Sequence, residues 1–482
     1  MLKPLTNHLQ ASAFCALPPT LYSYVTPTPL STPTLALFNH ALAQCFGIES
    51  PDADRTLSLL LAGIPHPQCR YWAADYAGHQ FGVWVPQLGD GRAIHLGEIV
   101  DTNQTRHEVQ LKGSGPTPFS RRGDGRAVLR SSLREYLCSE AMAGLNIPTT
   151  RALALISSPQ TVWRETQEPT AIVTRTAPSF IRFGSFERFA HCGDHHTLNA
   201  LAQFVLTRFY PECQDAKDPI AAMFQIICQR SAELVAAWQA VGFCHGVLNT
   251  DNMSILGLTL DYGPFSFLDG FDSHFICNHS DPNGRYAFDA QPGIVHWNLQ
   301  CLASALLPLS SQDALVESLN HFPDQFEHAF GQRLQKKCGF THWKESDWPL
   351  FSQLVALLEA ERTDYTLFWR TLSEHATQPA AVEALFSDRK AIRHWLTLWQ
   401  ARCQSDQTLD AAQIQMRAHN PKYILRNHLA EMAIRAAHHG DFSIAEQLIN
   451  VLQSPYDDHP AHHEWAKQPP DWARHLVLSC SS

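Results

Sequence analysis

Charge is scarce in this chain. Only 17% of its 482 residues are Asp, Glu, Lys or Arg, and 36 basic against 46 acidic residues leave a net charge of −10. A general nucleic-acid binder needs a basic footprint, so no nucleic-acid partner is expected. Long apolar runs are missing too. None approaches the roughly 18 residues of a membrane helix, so no membrane partner is expected either. The opening Met1-Leu2-Lys3-Pro4 runs into polar residues and prolines rather than the apolar segment of a signal peptide, and the expected location is the cytoplasm. The 13 cysteines contain no Cys-x-x-Cys pair, which argues for reduced thiols over a disulfide scaffold or a structural zinc site. Two phosphate-binding signatures, G-x-G-x-x-G and G-x-x-x-x-G-K-[ST], are also absent.

What is present is 45% apolar content, enough for a large core, in a chain long enough for about two to four structural units. Residues 1–70 are rich in Pro and Thr and predict an extended arm with one short helix around Leu35–Cys45. Strand patterns dominate from Tyr71 to Arg182, at Phe81–Val85, Ala93–Ile99, Glu108–Leu111 and Ala171–Arg175. One helix interrupts them: between Arg126 and Gly144, apolar residues recur at Leu129, Leu133, Leu137 and Ala141. From about His196 the pattern is helical, including Tyr423–Ala437 and Phe442–Leu452. The expected fold class is α+β: a bilobal, protein-kinase-like arrangement. Its parts are an arm (1–70), a strand-rich small lobe (71–190), a helix-rich large lobe (191–330) and a C-terminal helical extension (331–482).

Chemistry concentrates at His245-Gly246-Val247-Leu248-Asn249-Thr250-Asp251-Asn252, followed by Asp261-Tyr262-Gly263. A kinase catalytic loop of the form H-R-D-x-x-x-x-N places Asp two residues after His and Asn seven after it. Asn252 is in place, Val247 fills the Asp slot, and a carboxylate reappears at Asp251. Asn252 and Asp261 offer the hard oxygen donors that magnesium prefers. Upstream, Lys112 ends a strand and Glu135 lies on the helix. Kinases use such a pair to aim an ammonium at ATP phosphates.

Gly-Asp-Gly-Arg-Ala occurs twice, at 89–93 and 123–127. In the first copy Gly89 and Gly91 let backbone amides approach phosphates; in the second, Asp124 is placed to cap the helix. Residues 106–135 carry seven Lys/Arg against three acids, which marks a local anion site. Arg175 and Arg182 bracket the six residues Thr176–Ile181, and their forks suit phosphate oxygens at one cleft. A zinc site at His459, His462 and His463 is a weaker idea than a solvated tail.

The chain resembles the selenoprotein O family from about Leu17 to the C-terminus. The resemblance rests on Tyr76-Ala77-Gly78-His79-Gln80-Phe81-Gly82, Gln87–Ala93, Leu111–Gly115, Arg121–Arg126, His245–Asn252, Asp261-Tyr262-Gly263-Pro264 and Asn278-His279-Ser280-Asp281. It implies protein adenylyl transfer: AMP moves from ATP to a Ser, Thr or Tyr hydroxyl of a protein substrate, with the nucleotide reversed relative to kinases. It further implies that Lys112, Arg175 and Arg182 bind the outer phosphates, and that Gly89, Gly91, Arg92, Asp124 and Gly125 contact the nucleotide. Asp251 is then the catalytic base, and Asn252 and Asp261 hold magnesium or manganese, with Asp261 also facing the nucleotide. Family members with selenocysteine carry it third from the end, where Cys480 stands, and have a cysteine where this chain has Val477. A disulfide from Cys480 must therefore reach elsewhere, and Cys277 is the candidate. Ordinary phosphotransfer and a catalytically silent nucleotide-binding scaffold, the latter because of Val247, stay open as alternatives.

Overall fold

Apolar and β-branched runs fill a pleated surface best when both its faces are covered. In the computed structural model, which describes residues 5–50, 55–67, 69–476 and 478, they form ten strands in the first 177 residues. These are β1 (Tyr22–Tyr24), β2 (Thr34–Phe38), β3 (Trp72–Ala74), β4 (Gly78–Gln80), β5 (Val83–Val85), β6 (Ala93–Val100), β7 (Arg106–Lys112), β8 (Ala127–Val128), β9 (Arg151–Trp163) and β10 (Gln167–Ala177). Eight make one antiparallel sheet in the order β1-β3-β6-β7-β10-β9-β2, with β8 paired to β10; β4 and β5 form a separate hairpin.

Both edges of the sheet come from the Pro/Thr-rich first segment, β1 beside β3 and β2 beside β9. The helix expected over Leu35–Cys45 is therefore half strand. Thr34–Phe38 pairs with β9, and helix begins only at His40, after Asn39 accepts a hydrogen bond from the Leu42 amide at 3.1 Å. Pairing with an open sheet edge overrides the local helical pattern.

The helix expected from Arg126 spans Leu129–Gly144, and Leu129, Leu133, Leu137 and Ala141 are all buried. Its start is displaced because Ala127 and Val128 pair with Ala171 and Thr170 of β10. Asp124 consequently does not cap it; the capping position is Val128, which has no side-chain bond to give. Leu133 alone is worth about 2–5 kcal/mol against Ala, since it is fully buried between helix and sheet.

After residue 182 the chain is mainly helical. Pro219–Val241 shows why: Asp218 accepts from the Ala221 amide, Pro219 fits the first turn, and Gly242 ends the helix at φ 72. By length and composition this 23-residue helix could cross a membrane, yet 67% of its most apolar window is buried against the rest of the protein. Of the two late helices, Tyr423–Ala437 narrows to Asn427–His438 and Phe442–Leu452 becomes Ser443–Gln453. One apolar cluster joins the sheet to the helices that follow it, a second covers the other face of the sheet, and a third, around Phe368, Trp369, Trp395 and Trp399, joins the helices beyond residue 338.

Candidate active site

Strand register assembles the first part of the site. Gln110 lies opposite Arg175, and Lys112 opposite both Val173 and Ala93. The two-residue period puts Gln110, Lys112 and Arg175 on one face of the sheet. On that face, the Leu129–Gly144 helix presents Glu135, which accepts from Lys112 Nζ at 2.7 Å and from Arg175 Nη1 at 2.8 Å. Asp261 closes the group from the other side, its Oδ1 accepting from Arg175 Nη1 at 2.8 Å and from Lys112. Burial pulls the Lys112 pKa down, against the pull of Asp261 and Glu135. Burial alone would raise the Asp261 carboxyl, but Lys112 and Arg175 overcome it and hold the group well below the usual carboxylate range. One side of Asp261 still opens on the cavity, its side chain being 27% exposed.

Asp251 sits on the single turn Thr250–Asn252. Arg182 donates to its backbone carbonyl at 2.7 Å, and Gln80 Nε2, from the β4–β5 hairpin, donates to Oδ2 at 3.2 Å. Its Oδ1 is buried without a hydrogen-bond partner. Burial pushes the carboxyl up to about 6 despite the Arg182 cation nearby. His245 anchors the start of this loop; burial lowers its pKa to about 4, and the neutral ring accepts from the Val247 amide at 3.3 Å.

The Gly-rich segments form the opposite wall. Thr117 Oγ1 donates to the Asp90 carbonyl at 2.7 Å and Ser120 to that of Gly91, drawing residues 115–125 onto residues 88–92. A Cβ at Gly89, where φ is +75°, would stand 2.4 Å from Phe119 Cγ; one at Gly125, φ +67°, would stand 2.1 Å from the Gly115 carbonyl carbon. Only glycine fits either place. Asp124 accepts both Arg164 nitrogens at 2.8 Å and the Arg126 amide at 2.9 Å, so it fixes this turn rather than the helix.

These walls enclose a cavity of about 380 Å³. Gly89, Gly91, Arg92, Lys112, Asp124, Gly125, Arg175, Arg182, Asp251 and Asp261 all line it. Among the lining residues seven cations face four carboxylates, which suits a polyanion. Asn252 stands outside the lining; its Nδ2 donates to the Val247 carbonyl at 3.0 Å, which leaves the amide oxygen as its free donor. That oxygen and the ionised Asp261 are each of the hard oxygen type that magnesium prefers.

Sequence reasoning overestimates the basic stretch 106–135. Lys112, Arg121 and Arg126 line the cavity, but Arg106 pairs with Glu98, Arg130 with Glu168, and Arg134 stacks over Phe265. It misses Tyr76, Gln80, Asp90 and Arg164 as site residues, although Tyr76, Gln80 and Asp90 lie in motifs that carry the resemblance. Asp90 is buried and bonded to the Ala74 amide at 3.1 Å and His95 at 3.2 Å, with Arg182 at 3.8 Å. The three tail histidines do not converge: His459 bonds Ser454, His462 stacks on Trp465 and His463 pairs with Glu464. Cys480 lies outside the described residues. Cys277 is buried, and the nearby His279 amide donates to the Leu478 carbonyl at 2.9 Å.

Residues 4–453 match the family described as Protein adenylyltransferase SelO. The chain belongs to the SelO family. Its relatives include Protein nucleotidyltransferase YdiU of Burkholderia multivorans, 49% identical over 98% of this chain and 95% of its own length. The YdiU of Cupriavidus metallidurans is 49% identical over 96% of this chain and 89% of its own length. That of Burkholderia pseudomallei is 50% identical over 94% and 92%. SelO membership agrees with the resemblance read from the motifs.

Proposed function

We propose that this SelO-family protein transfers AMP from ATP to side-chain hydroxyls of other proteins and releases pyrophosphate. What carries this reading is Asp251: a carboxylate with an unpartnered buried oxygen and a pKa lifted to about 6, at the edge of a cavity crowded with cations. A base poised near neutral pH can accept the hydroxyl proton as the oxygen attacks. The new bond joins that oxygen to the α-phosphorus, and the bond from the α-phosphorus to the bridging oxygen breaks.

Lys112, Arg175 and Arg182 would hold the β- and γ-phosphates, where negative charge grows as pyrophosphate leaves. Glu135 orients Lys112 and Arg175 together. Gly89 and Gly91 bring backbone close to the nucleotide, while Arg92, Asp124 and Gly125 complete its cradle. Asn252 and Asp261 would hold magnesium, which when bound neutralises phosphate charge and orients the leaving group.

The sheet-rich region before residue 182 and the helical region after it support a bilobal, kinase-like arrangement: small lobe 71–190, large lobe 191–330, arm 1–70 and extension 331–482. A regulatory disulfide between Cys480 and Cys277 is proposed with it, supported by the backbone pairing of Leu478 with His279.

ATP labelled separately at the α- and γ-phosphates tests the reaction. Acceptor protein is expected to retain α label, with γ label recovered in pyrophosphate; protein carrying only γ label overturns the proposal.

A further inference from the structure

Behind the Asp251 loop, on the side away from the cavity, three side chains from three separate elements converge. His79 comes from β4, Glu187 from the Phe183–His191 helix and Cys301 from the Gln291–Leu306 helix, and their ligand-type atoms all lie within 4.8 Å of one another. His79 Nδ1 and Glu187 Oε2 are 2.6 Å apart. The other Glu187 oxygen, Oε1, is buried without a partner in hydrogen-bond geometry, and burial raises the carboxyl's pKa against the opposing pull of the nearby Thr250 hydroxyl and His79. The Glu187 residue is 4% exposed. An orphaned oxygen on a nearly fully buried carboxylate, beside an imidazole and a thiol, is costly unless something positive completes it.

The surroundings suit a metal. Trp84 and Trp297 flank the His79 ring at 5.1 and 5.3 Å, limiting water on those sides. Arg285, the neighbouring cation, stacks over Trp297 at 4.7 Å and forms no ion pair with Glu187. One nitrogen, one oxygen and one sulfur make a donor set of borderline softness, which selects zinc-class ions over magnesium. Three protein ligands leave the fourth tetrahedral position to water.

We propose that His79, Glu187 and Cys301 form a binding site for a zinc-class divalent cation, distinct from Asn252 and Asp261, the residues that would hold magnesium. Binding forms bonds from the metal to the Cys301 sulfur, a His79 nitrogen and a Glu187 oxygen, and releases to solvent the thiol proton and the proton shared between His79 Nδ1 and Glu187 Oε2. The site's position gives it a consequence for the reaction. The His79 amide donates to Thr250 Oγ1 at 2.7 Å, and the next residue, Gln80, donates to Asp251. An ion at His79 therefore fastens the β4–β5 hairpin to two helices and stiffens the support of Asp251, making His79, Glu187 and Cys301 positioning residues.

Cobalt is the probe. Full-length protein, stripped with a chelator and dialysed into excess magnesium without nucleotide, is titrated with Co²⁺. The expected result is a thiolate-to-cobalt charge-transfer band that saturates at one equivalent, is bleached by Zn²⁺ and is lost in Cys301→Ser. Because the chain has 13 cysteines, absence of a saturable band, or a band unchanged in Cys301→Ser, overturns the site. Anomalous diffraction from zinc-soaked wild-type crystals gives a reading independent of the variant's folding: a peak among the three side chains supports the site, and no peak there rejects it. Neither measurement involves nucleotide, so either outcome is separate from that of the labelled-ATP experiment.

Discussion

Asp251 and Asp261 are the same residue type on one short stretch of chain, and the protein has given them opposite characters. Asp261 is clasped by Lys112 and Arg175 and held well below the ordinary carboxylate range. Asp251 has one amide donor and one empty oxygen, and burial lifts it to about 6. Environment thus separates a permanently charged group, fit for cations, from one that can take up a proton near neutral pH. The contrast makes stability and activity respond differently at the two positions.

Asp251→Asn is expected to have the largest effect on rate, lowering AMP transfer by about 10²–10⁴-fold while leaving nucleotide binding, measured by calorimetry, near wild type. It should also stabilise the fold. A carboxyl raised from 3.8 to about 6 opposes folding most above pH 6, where it is ionised in both states, and the opposition vanishes below its unfolded pKa. Removing that charge at pH 7 gains up to roughly 3 kcal/mol in denaturant unfolding.

Asp261→Asn should reverse the sign, costing about 2 kcal/mol of stability. It strips Lys112 and Arg175 of one counter-charge, and the loss stays below that of a fully buried pair because Glu135 still serves both. Equal stability changes at the two sites would break the comparison. Gln80→Met has the smallest expected effect. It deletes the donor to Asp251 Oδ2, so the acid limb of the pH–rate curve moves to higher pH while the plateau rate stays within about tenfold.

Much of this site is legible in the sequence, because chemically distinctive residues recur at informative spacings. Lys112 and Glu135 are readable as strand end and helix face, and Asp251, Asn252 and Asp261 as a rearranged loop. Gln80 is not readable as a site residue, since nothing local says that its hairpin lies across a loop 171 residues away. The basic stretch 106–135 misleads for a related reason: a charge count has no direction, and Arg130 and Arg134 turn to Glu168 and Phe265. At the fold level, periodicity finds the core helices, while the strands β1 and β2 depend on sheet edges that only the assembled structure supplies. The position of Asp124 follows the same rule, its helix start having been taken over by pairing with β10.

The most direct test of the central claim, that Asp251 is the group accepting the hydroxyl proton, is the pH dependence of kcat/KM for AMP transfer at saturating magnesium. The rate is expected to rise tenfold per pH unit below a midpoint of about 6 and to level off above it. A profile already flat from pH 5 upward, or one whose midpoint persists in the residual activity of Asp251→Asn, would contradict that assignment.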